Sequence, residues 1–144
     1  MAGQNYSNHR RFVAGYHFVL AAIVLLCLVG SLVQLYRAWT AGENRVMSAL
    51  IVLLAIAAAQ FYWYCRVFPL KAQDRAIRAE EKLRHYVLTG EMPDARLDTR
   101  QIIGLRFAGD GEFPALARRA AEEGMSEDGI KKAVQDWRGD TYRV

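Results

Sequence analysis

Two long stretches without a charged residue constrain this chain more than any other feature of its sequence. Residues 12–36 contain no Asp, Glu, Lys or Arg, and neither do residues 46–65. As helices, these stretches would rise about 37 and 30 Å, against a hydrocarbon core that is about 30 Å thick. Helices of a small soluble bundle seldom need such length, and they carry a polar face that neither stretch has. We therefore predict two transmembrane helices, at residues 12–36 and 46–66.

The two predicted spans differ in hydrophobic strength. The first contains about a dozen Leu, Ile, Val or Phe residues, which together favour insertion by roughly −4 to −7 kcal/mol. The second contains about eight such residues and many alanines, so its own gain is roughly half as large. We expect pairing with the first helix to help the second insert. No small-x-small cleavage site follows the first stretch, so we interpret it as an uncleaved anchor.

The distribution of basic residues predicts the orientation of the hairpin. Residues 37–45 form a short connector with two arginines, and the N-terminal segment, residues 1–11, carries Arg10 and Arg11. Six basic residues follow the second span closely: Arg66, Lys71, Arg75, Arg78, Lys82 and Arg84. Positive charge next to a membrane stays in the cytoplasm. Both termini are therefore predicted to be cytoplasmic and the connector external.

The overall positive charge does not indicate a nucleic-acid-binding protein. The formal net charge is +4, but residues 97–144 contain eight Lys or Arg and nine Asp or Glu. A nucleic-acid-binding domain would concentrate its positive charge on that soluble part of the chain. We expect membrane lipid as a partner and no nucleic acid.

Residues 67–90 have the pattern of a juxtamembrane amphipathic helix. Pro69 is expected to kink or break the chain where it leaves the membrane, and Gly90 to end the helix. Glu80 and Arg84 are predicted to form an i,i+4 pair on the solvated side. One apolar stripe runs along the other side: Ala72, Ala76, Ala79, Leu83 and Tyr86.

Residues 97–144 are predicted to form a small cytoplasmic domain of three short helices. We expect the second helix to end at Gly124 and the third, which includes Trp137, to end at Gly139. Such short helices need tertiary contacts, so they should pack on each other and on the helix at residues 67–90. The predicted N-terminal caps are Asp98 with Gln101 for the first helix, Asp110 for the second and Ser126 for the third.

Small and polar residues inside the predicted spans are the candidate functional residues, because polar groups in a bilayer are costly. In an antiparallel hairpin centred near Ala41, position i would face about position 82 − i. Gln34 would then meet Ser48, in an interhelical hydrogen bond that contributes about 0.6–2 kcal/mol. An ion or substrate path is the alternative role. The helix-packing candidates are Cys27, Gly30, Gln34, Ser48, Ala55, Ala59 and Gln60.

The histidines and cysteines form no strong ligand pattern. Only His17 lies near the predicted bilayer, so a haem with two histidine ligands would need a symmetric dimer. His17, Cys65 and His85 would make an incomplete zinc site. We predict no catalytic residue, no bound metal, no cofactor and no small-molecule substrate, and we leave open whether His17 binds a cofactor in an oligomer.

Eight short stretches of the chain form recognisable motifs: residues 4–10 (QNYSNHR), 16–18 (YHF), 73–78 (QDRAIR), 88–90 (LTG), 105–108 (LRFA), 112–113 (EF), 130–133 (IKKA) and 137–144 (WRGDTYRV). In these stretches, which are spread over nearly the whole chain, the sequence resembles a family of small two-span bacterial inner-membrane proteins that is labelled only as a domain of unknown function. The resemblance implies an all-α membrane protein: a transmembrane hairpin, an amphipathic juxtamembrane helix and a small cytoplasmic helical domain. It lends no activity, cofactor or catalytic residue.

The leading functional hypothesis is a non-enzymatic membrane scaffold or accessory subunit of a membrane complex. Small residues in the spans, together with Trp137 and Tyr142 in the C-terminal tail, suit contacts with a second copy or with other membrane protein subunits. A subunit of a small oligomeric channel or transporter, with Gln34, Ser48 and Gln60 lining a pore, is the alternative. A redox subunit that uses His17 is a third hypothesis.

Overall fold

A computed structural model describes residues 4–9 and 12–140 of the chain. Arg10, Arg11 and Tyr142, which the predictions above name, lie outside the described residues. Within the described ranges the regular structure is helical, and one isolated β-bridge joins Ala108 to Trp137. A π-helical turn, Gly15–Leu20, continues into α1, and the helices are α1 (Ala21–Ala41), α2 (Arg45–Thr89), α3 (Thr99–Leu105), α4 (Phe113–Glu123) and α5 (Glu127–Ala133). The predicted all-α class is confirmed.

The chain divides into two compact units. The hairpin unit is Phe12–Pro69, and the helical-domain unit is made from the described residues of the N-terminal segment and of the chain from Leu70 onward. Two helices, Gly15–Ala41 and Arg45–Thr89, are long and apolar enough to cross a membrane.

A tight turn joins the two helices of the hairpin unit. Helix α1 continues past Tyr36 to Ala41, and Gly42 then adopts the left-handed conformation with φ of 79°. Its N–H donates to the Ala38 carbonyl, which closes the helix as glycine C-caps do. Asn44 also has a positive φ, of 55°, so helix α2 can begin at the next residue.

An aromatic pair fixes the register of the hairpin at its open end. The rings of Tyr16 and Tyr62 stack with their centroids 4.7 Å apart, and the Tyr16 hydroxyl donates to the Tyr62 carbonyl oxygen at 2.5 Å. Tyr16 therefore pairs four residues closer to the turn than the approximate relation between positions i and 82 − i would place it. The π-helical turn Gly15–Leu20 contributes to this difference because it fits more residues into a given length than an α-helix.

Helix α2 passes through Pro69 without a break. The proline has no N–H to donate to the Cys65 carbonyl, and on that basis we predicted a kink or break. The predicted break is wrong, since residues on both sides of Pro69 belong to the same helix, Arg45–Thr89. The predicted end is confirmed, because Gly90 follows Thr89 with φ of 77°.

The core of the helical-domain unit comes from the short helices and the loops between them. Its largest fully buried side chains are those of Leu105, Phe107 and Ile130. Helices α3 and α5 pack closely at Gly104, where a Cβ atom would lie 3.1 Å from the Glu127 carbonyl oxygen. The buried cluster consists of Leu97, Ile102, Leu105, Phe107, Ala108, Phe113, Leu116, Ala117, Ala120, Ala121, Ile130 and Val134.

Three of the predicted helix ends in this unit are confirmed. Asp98 and Gln101 form a complete capping box, in which each side chain accepts from the other residue's backbone N–H. The Ser126 side chain accepts from the Gly129 N–H at the start of α5. Gly124 closes α4 with φ of 60°.

Two other predicted helix ends are wrong. Asp110 does not cap α4, whose N-cap residue is Glu112 with no side-chain cap. Helix α5 ends at Ala133 rather than at Gly139, because Val134 is extended and Trp137 pairs with Ala108 in the β-bridge.

The interpretation of the helix at residues 67–90 also needs correction. Its apolar stripe is exposed rather than packed on the short helices, and Arg84 is half-buried rather than paired with Glu80 in solvent. Arg84 turns inward because it finds three acceptors there: the carboxylates of Glu81 and Asp110 and the carbonyl of Ala108.

Candidate functional site

The predicted helix-packing residues divide into two groups. Ser48 and Ala55 are buried inside the hairpin unit, and Ala59 is half-buried. The remaining four, Cys27, Gly30, Gln34 and Gln60, are exposed on the outer surface of this unit.

Three buried residues of the hairpin, Ser31, Ala38 and Val52, were not among the packing candidates. Ser31 and Ala38 are the buried residues of α1, and both have small side chains. The Ser31 hydroxyl donates to the Leu28 carbonyl oxygen at 2.8 Å, so this buried polar group has a partner within its own helix. The sequence signal for Ser31 is its polarity within an apolar stretch, since helical periodicity gives none where both faces are apolar.

The outer surface of the hairpin is built from large apolar side chains. Leu26 and Leu54 are each 70% exposed, and many other Leu, Ile and Val side chains of this unit are exposed as well. Cys27, Gly30 and Gln34 interrupt this surface on α1, and their spacing of three and four residues puts them on one face. A Cβ atom at Gly30 would meet nothing within 4 Å. This face leaves room for the close approach of another helix.

His17 is engaged with the backbone at the start of the hairpin unit. Its Nδ1 atom lies 3.1 Å from the Val13 nitrogen and 3.0 Å from the Val13 oxygen. Its ring makes edge contacts with the rings of Phe12 and Tyr16. Among residues 4–9 and 12–140, no group of three or more His, Cys, Asp or Glu is arranged to hold a metal ion.

Ion pairs join helix α2 to the segments before α4 and after α5. Glu81 is buried and accepts from Arg84 at 2.9 Å, and its second oxygen lies 3.8 Å from Arg138. Arg84 also donates to Asp110 and packs its guanidinium 4.4 Å from the centre of the Phe113 ring. Buried charges of this kind need well-placed partners, and these contacts supply them.

A polar cleft of about 200 Å³ lies beside these ion pairs. Its lining presents both signs of charge: Glu80, Glu81 and Asp140 against Arg106 and Arg138. Arg106 lies 3.2 Å from Asp140 and packs on the Phe107 ring. The cleft therefore lies next to the ion pairs of Glu81 and Arg84. Asp140 and the Phe107 ring hold Arg106 in place at its wall.

The N-terminal segment, residues 4–9, is docked on the helical domain, a contact that sequence reasoning missed. The Tyr6 hydroxyl donates to the Asp128 carboxylate at 2.6 Å. The His9 ring lies 5.7 Å from the Phe107 ring and 6.0 Å from the Trp137 ring. This segment has no helical or strand periodicity, so no local signal could have predicted its docking.

Stretches that carry the family resemblance meet at this contact. Tyr6 and His9 belong to QNYSNHR, Phe107 to LRFA and Trp137 to WRGDTYRV. Lys132, from IKKA, lies 5.4 Å from the centre of the Tyr6 ring. Sequence segments that are far apart in the chain therefore build one surface feature.

The charged side chains at this contact stabilise each other's ionised forms. Hydrogen bonds from Lys132 and Tyr6 lower the pKa of Asp128, and the bond to Asp128 raises the pKa of Lys132. A separate surface pair behaves in the same way, since hydrogen bonds from Arg96 lower the pKa of Asp94 to about 2.

The exposed stripe of α2 is the second surface feature of this unit. Leu83 and Met92 are each 63% exposed, and Tyr86 is exposed as well. An open apolar groove of about 400 Å³ runs beside them and is also lined by Ala79 and Lys82. Contiguous exposed apolar surface on a folded unit is characteristic of an interaction site.

Comparison with known proteins places the chain in a family without assigning it an activity. No curated protein and no solved structure matches the sequence. A family model described as a family of unknown function, DUF6526, matches residues 1–144, the whole length of the chain. The chain therefore belongs to the DUF6526 family.

Proposed function

We propose that this chain is an integral protein of a bacterial inner membrane, with the hairpin unit across the bilayer and both termini in the cytoplasm. Its role is that of a non-enzymatic scaffold or accessory subunit of a membrane complex. It works as a homo-oligomer or together with other membrane protein subunits.

The observation that carries this proposal is the outer surface of the hairpin unit. Leu26, Leu54 and their neighbours would be poorly solvated in water, whereas lipid tails accommodate them. Within that surface, Gly30 and Gln34 offer close approach and an amide hydrogen bond. These are the features through which transmembrane helices associate, because lipid removes the hydrophobic force between them.

The docked N-terminal segment supports the proposed topology. Residues 4–9 precede the hairpin in the chain, and the residues that they contact follow it. A bond between Tyr6 and Asp128 requires both ends of the chain to lie on the same side of a membrane. An even number of crossings satisfies this condition, as a two-helix hairpin does.

Topology can be tested with single reporter cysteines in full-length protein that lacks Cys27 and Cys65. We expect a cysteine at Glu43 to react with a membrane-impermeant maleimide in spheroplasts, and cysteines at Ser7 and Glu123 to react only after the membrane is opened. Labelling of all three from the same side would contradict the two-span hairpin.

The scaffold role can be tested by native mass measurement in mild detergent and by crosslinking in native membranes. We expect an oligomer or a defined hetero-complex, weakened by Gly30→Leu, which blocks close helix approach. Val29→Leu, at an exposed neighbouring position, is the matched control and should leave the assembly intact. A lone monomer without crosslinked partners would contradict the proposal.

Flux measurements distinguish the scaffold from the channel alternative. Gln34 and Gln60 are exposed and could line a pore in an oligomer, whereas Ser48 is buried in the hairpin. We expect liposomes that contain the protein to show no ion flux above that of empty liposomes. Flux that falls in a variant with Gln34→Leu, Gln60→Leu and Ser48→Ala would favour the channel.

A further inference from the structure

The exposed stripe of helix α2 has the spacing of a coiled-coil seam. Its five residues follow one another at alternating intervals of four and three: Ala72, Ala76, Ala79, Leu83 and Tyr86. This is the a/d pattern of a heptad repeat, with Ala76 and Leu83 at a positions. All five are exposed, and Ala76 lies at the edge of the polar cleft, whereas the helix contacts the rest of its unit through Ile77, Glu81 and Arg84.

We propose that this stripe is the seam of a parallel homodimer, in which residues 72–86 of two copies of the chain pack as a short two-stranded coiled coil. The inference rests on the proposed function, because one bilayer and one topology for both copies make their α2 helices run in the same direction. It adds to that function the surface and the orientation through which the copies meet.

The charges beside the stripe match a parallel pairing. In a parallel coiled coil, a g residue faces the e′ residue five positions further along the second helix. Arg75 occupies a g position and Glu80 an e position, and both are exposed. Two symmetric Arg75–Glu80 contacts therefore form across the dimer. An antiparallel pairing would instead bring Arg75 opposite Lys82, a contact between like charges.

The composition of the stripe favours a second helix, rather than a lipid surface, as its binding partner. Three of its five residues are alanines, which bury little apolar area in lipid but allow two helix backbones to approach closely. Glu80 and Glu81 also reduce attraction to anionic headgroups. The largest side chains, Leu83 and Tyr86, lie at consecutive seam positions, where they would pack against their own counterparts.

Homotypic cysteine crosslinking in native membranes tests the proposal. In full-length protein with Cys27 and Cys65 replaced by Ser, we expect Ala76→Cys, Ala79→Cys and Leu83→Cys each to form a disulfide-linked dimer. Arg78→Cys, exposed on the same helix but off the seam, is the matched control and should crosslink about tenfold less, because disulfides need Cα atoms about 4.4–6.8 Å apart. Equal crosslinking at Arg78→Cys would overturn the proposal, and so would crosslinking at only one of the three seam positions, which indicates a crossed or antiparallel contact.

Charge reversal tests the register independently. Arg75→Glu and Glu80→Arg should each reduce crosslinking of Ala79→Cys severalfold, and the double exchange should restore it. Circular dichroism of each purified variant verifies that it is folded. No recovery in a folded double variant would overturn the proposed register.

Two further measurements separate this inference from the proposed function. If the native mass is that of an oligomer but no seam position crosslinks, the coiled coil is overturned and the oligomeric scaffold remains. A monomer mass would overturn both. Quenching of a dye on Leu83→Cys by brominated lipids in reconstituted vesicles would show lipid on the stripe and would likewise overturn the dimer.

Discussion

The two units of this chain differ in the size of the side chains that they bury. In the hairpin unit the buried residues are Ser31, Ala38, Ser48, Val52 and Ala55, while Leu26 and Leu54 are 70% exposed. In the helical-domain unit, Phe107 and Ile130 have no exposed surface. The hairpin unit therefore has mostly small residues inside and large ones outside, whereas the core of the helical domain includes large apolar side chains as well as alanines.

This contrast indicates that different forces hold the two units together. Water drives large apolar side chains into the core of the helical domain, at about 25 cal/mol for each Å² buried. In lipid that force is absent between helices, and close packing of small residues takes its place. The hairpin has the second arrangement, which is consistent with the membrane location that we propose.

The largest expected effect comes from truncating a core residue of the helical domain. Phe107→Ala should lower the free energy of unfolding of this unit by about 3–5 kcal/mol, because it removes a fully buried ring and leaves a cavity. Leu26→Ala, at an exposed position of the hairpin, should change the stability of either unit little. Pulse proteolysis of the full-length protein in detergent and urea would measure both. Equal destabilisation by the two variants would contradict the contrast between the units.

A charge on the outer surface of the hairpin should have the next largest effect. Leu54→Asp should disfavour insertion of the second span by about 2.5–3.5 kcal/mol, a large fraction of the weak insertion energy of this stretch. Ala115→Asp, at an exposed position of α4, should leave membrane insertion unchanged. Insertion can be measured by glycosylation mapping. A hairpin that inserts equally well with Asp at position 54 would exclude lipid as its surroundings.

The sequence could predict those parts of the fold that depend on neighbouring residues. The capping box of Asp98 and Gln101 and the stops at Gly90 and Gly124 depend on residues within one helical turn. Such signals are complete in the local sequence, so these predictions are confirmed.

Two of the predictions that failed depend on contacts between distant residues. Arg84 matched an i,i+4 pattern with Glu80, but Asp110 and the Ala108 carbonyl offered better-placed acceptors. Trp137 continued a helical pattern, but it pairs with Ala108 across the β-bridge. At the candidate site, the sequence indicated the small and polar side chains of the hairpin helices. It could not indicate the docking of Tyr6 and His9.

A smaller effect is expected where two helices of the domain meet at Gly104. Gly104→Ala puts a methyl group 3.1 Å from the Glu127 oxygen and 3.4 Å from the Ile130 side chain. This overpacking should lower the free energy of unfolding by about 1–2 kcal/mol. Gly111→Ala, where a Cβ atom would meet nothing within 4 Å, is the matched control. Pulse proteolysis again serves as the measurement, and equal stability of the two variants would show that α3 and α5 are less tightly packed than described.

The smallest effect concerns the docked N-terminal segment and its dependence on pH. The pKa of Asp128 is lowered from 3.8, so the carboxylate stabilises docking above pH 3.8, and this contribution disappears as the pH falls through the lowered pKa. The pKa of Lys132 is raised from 10.5, so its contribution is present below pH 10.5 and disappears as the pH rises through the raised value.

Tyr6→Phe should therefore move the pKa of Asp128 part of the way back to 3.8, and Lys132→Met should move it further because Lys132 makes the larger contribution. NMR titration of the labelled carboxyl group in the full chain measures this change, with Tyr86→Phe on the α2 stripe as the control. If Tyr6→Phe left the pKa of Asp128 unchanged, the segment would not be docked, and the support that it gives to a shared side for the two termini would be lost.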